Sequence, residues 1–198
     1  MCHRMGKQRA YTLGARGEAM AATRERILRS VLDLSEEKMT IEITLDEVAS
    51  RAGTSVQTVL RHFGTREGLL DAAVAKASAE VAEERRAPAG DPEAAIGVIV
   101  AHYERRGDFV LRLLSQEHDP RIGAVVGPGK LLHRAWVEEM FQRQLDARPG
   151  ADRDALVDLL VVATDVYAWK LLRRDRGLDP DTTRARMFAL VSAILAAG

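Results

Sequence analysis

The chain has 198 residues, and the 46% that are hydrophobic are enough to build a packed core, which excludes wholesale disorder. Its 29 cationic side chains balance 29 anionic ones, so the chain lacks the overall basic excess of many nucleic-acid-binding proteins. The charge is unevenly placed, however, because residues 1–30 hold seven cations and two anions, a net of +5, which leaves −5 for the remainder. This asymmetry fits either a basic arm that contacts phosphate or a solvated tail.

Cysteine content and hydropathy favour the cytoplasm. Cys2 is the only cysteine, so a disulfide framework within the chain is excluded. The first twenty residues lack the apolar core of a signal peptide, and the apolar run from Leu159 to Ala163 is far shorter than the roughly 20 residues of a membrane span. We therefore predict a cytoplasmic protein that does not enter a membrane.

The first part of the chain is predicted to be helical, because apolar residues recur at spacings of three and four. Residues 1–20 are expected to form a flexible arm. The helices that follow are expected from about Thr23 to Glu37 with Ile27, Val31 and Leu34 on one face, from Leu45 to Ala52, from Val56 to Phe63, and from a Thr65 cap through Val81.

The rest of the chain reads as four or five longer helices after a polar linker at residues 85–90. Breaks are expected near Gly107, within 123–129, at 149–150 and at Gly177. Three Asp-Pro pairs each offer a side-chain acceptor at the N-cap and a preset φ at the first helical position. They are predicted to start helices at Pro92, Pro120 and Pro180.

The segment from Thr44 to Leu70 carries the clearest functional signal. Thr44 and Glu47 have the spacing of a capping box. Gly53 lies where a helix end needs a left-handed residue, and Ser55 can cap the next helix. Two short helices joined by such a turn predict a helix-turn-helix.

The second helix of such a unit enters the major groove with its first turn nearest the base edges. Gln57 can pair with an adenine edge, while Val56 and the Thr58 methyl group can contact thymine methyl groups. The residues predicted to contact phosphate are Thr44, Ser55, Arg61, His62 and Arg66.

The run from Gly53 to Leu70 resembles the DNA-binding signature of the tetracycline-repressor (TetR) family. The matching positions are Gly53, Thr54, Ser55, Thr58, Val59, His62, Phe63, Arg66, Glu67, Leu69 and Leu70. The resemblance implies an all-α fold with an N-terminal three-helix helix-turn-helix domain. It also implies a fourth helix that leads into a larger C-terminal helical domain, which binds a ligand and forms a dimer through the last two long helices.

Three positions depart from the family pattern. Leu60 stands where the family usually has a Tyr whose hydroxyl contacts phosphate, and a Leu cannot make that bond, which gives Arg61 more weight. Met39 replaces the Gly that usually ends the first helix, and Arg66 replaces a Lys with its charge kept.

The predicted domains are a basic arm at 1–20, a helix-turn-helix domain at 21–67, and an effector-binding and dimerisation domain at 68–198. A helix from Arg153 to Arg173 and a final helix at 181–196 each carry an apolar stripe. These stripes could fold onto their own core or form a four-helix bundle with a second copy. The resemblance and the half-site geometry of dimeric repressors favour a homodimer.

Aromatic and histidine side chains between residues 91 and 170 could line a pocket for a small, largely apolar effector, although ordinary core packing is the favoured role for each one. These candidates are His102, Tyr103, Phe109, His133, Trp136, Phe141 and Trp169.

The predicted function is that of a regulator, most readily a repressor released from a palindromic operator in double-stranded DNA by a small molecule. The alternative is an effector-independent DNA-organising protein or an activator on the same scaffold, and a C-terminal cavity would discriminate between them. No enzyme, cofactor or metal site is predicted. The stretch 123–130 departs from a phosphate loop at Ala124 and Leu131 and is expected to be a turn, while Cys2 and His3 do not form a metal site.

Overall fold

The computed structural model describes residues 5–39, 42–148 and 150–197, with side chains described from Gly17 onward except at 121, 124 and 125. Within these ranges the chain is helical and has no strand, which confirms the predicted all-α class. Two compact units, Met1–Ala77 and Ser78–Gly198, divide the chain inside the fourth helix. The helices are α1 (Met5–Glu37), α2 (Leu45–Arg51), α3 (Val56–Phe63), α4 (Arg66–Glu84), α5 (Pro92–Leu114), α6 (Pro120–Met140), α7 (Gln142–Asp146), α8 (Ala151–Thr164), α9 (Val166–Lys170) and α10 (Pro180–Ala196), with a π-helical segment at Leu171–Asp175 between the last two.

The N-terminal unit is held together by one apolar core. The face of α1 predicted from its spacing is buried, and Val48 and Ala49 of α2 meet it together with Val59 of α3. Leu69 and Ala73 complete the core from α4. Each fully buried Val, Leu or Ile side chain contributes about 1.5–3 kcal/mol to folding. The short helices α2 and α3 therefore depend on this core for their stability.

The first helix starts earlier than expected. It begins at Met5 and not near Thr23, so residues 5–20, which were expected to form an arm, are helical. The stretch from Glu18 to Ala22 consists of strong helix formers and contains no proline. A basic, weakly apolar segment can therefore propagate a helix from its neighbour. Residues 1–4, including Cys2 and His3, lie outside the described ranges.

The C-terminal unit is built around a larger core to which all six helices from α5 to α10 contribute. The Asp-Pro prediction is confirmed, since α5, α6 and α10 begin at Pro92, Pro120 and Pro180. Asp91 Oδ1 accepts from Ala94 N at 3.0 Å, and Asp179 Oδ1 accepts from Thr182 N at 2.9 Å. Among the described residues, no helix has the length and apolar character that crossing a membrane requires.

Two predicted breaks are wrong, because helices run through them. α5 continues past Gly107, where the absence of a side chain makes room for Trp169. α6 continues through 123–129, which was expected to be a turn, although Pro128 lies inside it. The packing of one face of α6 offsets the cost of Pro128 to the helix. The buried side chains of this face are Ile122, Val126, His133, Trp136, Val137 and Met140.

The helix expected from Arg153 to Arg173 is divided. α8 ends at Thr164, and Asp165 has an extended backbone and begins α9 by accepting from Tyr167 N at 2.8 Å. Thr164 Oγ1 donates to the Leu160 carbonyl at 2.7 Å. Local side-chain hydrogen bonds of this kind compete with the backbone hydrogen bonds of a helix. The apolar stripe continues across the break, so hydrophobic periodicity alone does not reveal it.

Candidate nucleic-acid interface

The start of α2 is fixed by the predicted capping box. Thr44 Oγ1 accepts from Glu47 N at 3.3 Å, and Glu47 Oε2 accepts from Thr44 N at 2.9 Å. A hydrogen bond from Lys38, followed by those from Thr44, lowers the pKa of Glu47 to about 2, so this carboxylate stays ionised. Glu47 Oε2 also lies 2.8 Å from Thr44 Oγ1, which donates to it. A DNA phosphate would therefore compete with the Glu47 carboxylate for the hydrogen of the Thr44 hydroxyl.

The turn into α3 follows the predicted chemistry. Gly53 has a φ of 61°, a left-handed conformation that favours glycine, and Thr54 N donates to the Ala49 carbonyl at 2.9 Å. Ser55 caps α3, with its Oγ accepting from Thr58 N at 3.2 Å. The helix begins at Val56 and ends at Phe63, as predicted. The turn and the cap together fix the direction in which α3 leaves α2.

The first turn of α3 presents the predicted base-reading residues. Gln57 is exposed, while Val56 and Thr58 are half-buried and flank it. Val59 is fully buried and anchors the opposite face in the core. This turn contains no acidic residue, so the partial positive charge of the helix N-terminus is not neutralised there. Such a surface is suited to contact with a polyanion.

The remaining predicted phosphate contacts differ in their surroundings. Arg61 is exposed, and His62 is half-buried with its ring centroid 6.1 Å from that of Phe63. Arg66 is half-buried, and its Nε donates to the Ile43 carbonyl at 3.0 Å. Arg66 therefore ties the start of α4 to the segment before α2, a role that spacing in the sequence does not reveal.

Two basic residues of α1 outside the predicted set lie beside the helix-turn-helix. The guanidinium carbon of Arg24 is 5.1 Å from the ring centroid of Phe63, within cation–π range. Arg26 Nε donates to the Ala52 carbonyl at 3.5 Å, at the end of α2. Their only signal in the sequence is the basic excess of residues 1–30.

Most of the predicted effector residues meet in the core of the C-terminal unit. The rings of His102 and Tyr103 lie 5.6 Å apart and those of Tyr103 and Trp169 lie 5.9 Å apart. His133 stacks on Trp136 at 5.7 Å. All of these side chains are buried, as is Phe141, whose ring centroid is 6.5 Å from that of Trp136.

Phe109 differs from the other predicted effector residues. It is half-buried, and the guanidinium carbon of Arg112 lies 6.0 Å from its ring centroid. Within the described ranges, no group of three or more His, Cys, Asp or Glu side chains is placed to hold a metal ion.

Sequence comparison places the helix-turn-helix in a known family. Residues 41–73 match the profile described as bacterial regulatory proteins, tetR family. This range contains α2, α3 and the beginning of α4. No curated protein sequence matches the chain.

Solved structures share the fold over most of the chain. A transcriptional regulator from Rhodococcus sp. Rha1 superposes with a TM-score of 0.63 at 17% identity, covering 88% of this chain and 96% of that one. A tetR-family transcriptional regulator from Streptomyces coelicolor has a TM-score of 0.62 at 20% identity, covering 88% and 83%. At these identities the similarity shows a common fold. Together with the tetR-family match over residues 41–73, it shows that the chain is similar to DNA-binding transcriptional regulators of that family in its helix-turn-helix and in its fold.

Proposed function

We propose that the chain is a cytoplasmic repressor that binds a palindromic operator as a homodimer and releases it when a small molecule binds the C-terminal unit. The observation that carries the proposal is the first turn of α3, where Gln57 is exposed and the Ser55 cap fixes the backbone. A recognition helix needs such a turn, because its N-terminal residues contact the base edges. Gln57 reads adenine, and Arg61, His62 and Arg66 contact phosphate.

Exposed apolar side chains on the last helices support the homodimer. Leu159 and Val162 of α8 are 53% and 69% exposed, and Leu190 of α10 is 45% exposed. Ala155 and Ala189, also exposed, are small enough to let a partner helix approach closely. A second copy that covers these side chains would remove them from water, and it would bring two recognition helices to successive major grooves.

The helix α4 is the proposed link between effector and DNA. Its beginning belongs to the N-terminal unit and its end, at Glu84, to the C-terminal unit. An effector that binds one position of α4 better than another shifts the separation of the recognition helices. A coupling free energy of about 1–3 kcal/mol would change operator affinity about 5- to 150-fold.

Selection of bound fragments from genomic DNA tests this function. We expect an enriched palindrome whose half-site centres are about 10–10.5 base pairs apart, or a multiple of that distance. A library bound by the Gln57→Ala variant serves as the matched control and should lose enrichment at one position of each half-site. Recovery of fragments without a shared sequence would contradict operator recognition.

A further inference from the structure

Among the described residues of the C-terminal unit, five side-chain polar atoms are buried without a hydrogen-bond partner. Three of these atoms belong to residues that lie around the same aromatic side chains. They are Arg85 Nε, His102 Nε2 and His133 Nδ1, and we call these three residues the Arg85 cluster. His102 and His133 are only 1% and 7% exposed. Leaving one such group unsatisfied costs free energy, so three in one region need an explanation.

The three residues are held around the same aromatic side chains. The guanidinium carbon of Arg85 lies 5.7 Å from the ring centroid of Tyr103. The ring centroid of His102 lies 5.6 Å from that of the same tyrosine. Trp136 Nε1 donates to the Arg85 carbonyl at 2.9 Å, and His133 stacks on Trp136. Tyr103 and Trp136 thus connect Arg85 to the two imidazoles.

The partner of each imidazole decides which nitrogen carries its proton. His102 Nδ1 lies 2.9 Å from Glu84 Oε2. Burial raises the pKa of Glu84, but hydrogen bonds from Arg106 and His102 outweigh it and bring that pKa to about 2. An ionised carboxylate only accepts, so His102 Nδ1 donates to it and Nε2 is left as an acceptor.

The same argument applies to His133. Its Nε2 lies 3.4 Å from the Val161 carbonyl, which can only accept, and 3.2 Å from Thr164 Oγ1, whose own hydrogen points to the Leu160 carbonyl. The proton is therefore on Nε2, and Nδ1 is an acceptor without a donor.

The cluster therefore offers one cation and two neutral acceptors. Burial, and then the charge of Arg85, lowers the pKa of both His102 and His133 to about 4, so both are neutral near pH 7. Burial also lowers the pKa of Arg85, but a guanidinium remains protonated in proteins. The nearby carboxylates of Glu84 and Asp165 already accept hydrogen bonds from Arg106 and from Tyr167 N.

We propose that the Arg85 cluster is the effector site and that its ligand is a small organic carboxylate that also carries a hydroxyl or N–H group. The carboxylate pairs with Arg85, and the donor group reaches the imidazole nitrogens. Glu84 and Asp165 act on the Arg85 guanidinium through their charge, but neither accepts a hydrogen bond from its Nε. A neutral ligand would add no counter-charge at that nitrogen, and a dianion would bring a second negative charge close to these two carboxylates. This inference rests on the proposed function, since it names the chemistry of the effector.

The position of the cluster gives such a ligand a direct connection to α4. Glu84, the last residue of α4, accepts the hydrogen bond from His102, and Arg85 follows it in the chain. A ligand between Arg85 and His102 therefore acts on the end of the helix that begins in the DNA-binding unit.

Thermal melts and calorimetry of the full-length protein test the ligand chemistry. The probes are 4-hydroxybenzoate, 3-hydroxybenzoate and mandelate, each compared with its primary amide at millimolar concentrations. We expect at least one carboxylate to raise Tm with increasing concentration, while its amide does not. Equal shifts from acid and amide, or no shift from any of the three acids, would overturn the proposal.

Two variants assign the binding to Arg85. Arg85→Met should weaken the carboxylate about 10- to 100-fold, the loss expected for one charge-assisted hydrogen bond. Arg86→Met is the matched control, because the Arg86 side chain is 75% exposed and pairs with Glu83. Unchanged affinity in Arg85→Met, or an equal loss in Arg86→Met, would contradict the assignment.

The Tm values of the wild type and of Arg85→Met without added ligand provide a second measurement. Removing a desolvated guanidinium whose Nε has no acceptor should leave the Tm of Arg85→Met equal to or above that of the wild type. A large fall in its Tm would assign Arg85 to the structure and not to a ligand.

Binding to the selected DNA fragments, measured in parallel, separates this inference from the proposed function. Carboxylate binding without specific DNA binding would contradict the proposed repressor function but support a carboxylate site at the Arg85 cluster. Carboxylate binding that leaves DNA affinity unchanged would keep the site and remove its role as effector.

Discussion

Trp169 packs so closely against Gly107 that residue 107 has no room for a side chain. A β-carbon there would lie 2.5 Å from Cζ3 and 2.6 Å from Cη2 of the indole. The ring cannot move aside easily, because it is fully buried and its Nε1 donates to Glu104 Oε1 at 2.8 Å. The contact fixes α9 against the middle of α5.

Gly107→Ala should therefore destabilise the protein by about 1–3 kcal/mol, as overpacking of a core does. Helix propensity alone predicts the opposite, a gain of about 0.5–1 kcal/mol. Gly97→Ala in the same helix is the control, since a β-carbon there meets nothing within 4 Å, and it should show that gain. Urea denaturation measures both, and a Gly107→Ala variant as stable as wild type would contradict the close contact.

The dimer can be tested on its exposed apolar side chains. Leu159→Glu combined with Val162→Glu should convert the protein to monomers and lower operator affinity, because it places two charges in the proposed interface. Leu131→Glu, at a position 72% exposed on α6, is the matched control and should remain dimeric. Analytical ultracentrifugation gives the masses. A dimeric double variant would rule out this part of α8 as the interface.

The buried histidines should make folding sensitive to acid. Both His102 and His133 have a folded pKa of about 4, below the ordinary value of 6.5, so the unfolded chain binds more protons between these values. The free energy of unfolding should fall as the pH is lowered from 6.5 to 4, with a slope on the order of 1 kcal/mol per pH unit for each histidine midway between these values. Below about pH 4.5 protonation of Glu84 adds to the loss, because its folded pKa is about 2.

His102→Asn should reduce this slope, because asparagine keeps a donor for Glu84 but does not titrate. His118→Gln replaces an exposed histidine and serves as the matched control. Denaturant melts across the pH range give the slopes, and an identical slope in wild type and His102→Asn would be inconsistent with a neutral, buried His102.

Replacing Arg61, in α3, and Arg66, at the start of α4, by alanine should have different effects on DNA binding and on stability. Arg61→Ala should weaken binding to all DNA sequences and reduce the salt slope by about one, without a change in the free energy of unfolding. Arg66→Ala should also lower that free energy by about 1 kcal/mol, since the Ile43 carbonyl loses its donor. DNA titrations at several salt concentrations and urea melts separate the two effects. Equal stability of the two variants would leave Arg66 with a DNA role only.

Local chemistry explains which parts of the fold the sequence predicts. The capping box at Thr44, the left-handed Gly53 and the Ser55 cap each depend on atoms within a few residues, and the bounds of α3 were predicted correctly for that reason. The breaks expected at Gly107 and within 123–129 were wrong because their outcome depends on distant partners. Trp169 requires a glycine inside α5, and the core holds α6 together across Pro128.

The same distinction applies to the functional residues. The exposure of Gln57 follows from helical periodicity, since Val59 must face the core. The contact of Arg66 with Ile43 joins residues 23 positions apart and has no local signature. Arg85 falls in a segment expected to be a polar linker, and its guanidinium is desolvated only because neighbouring helices pack around it.

The affinity of Gln57→Ala for selected operator fragments and for random DNA, at one salt concentration, tests the role of α3 most directly. We predict a loss of about 1–3 kcal/mol on the selected fragments, a relaxed preference at one base pair, and unchanged binding to random DNA. Equal losses on the two kinds of DNA would contradict base recognition by the first turn of α3.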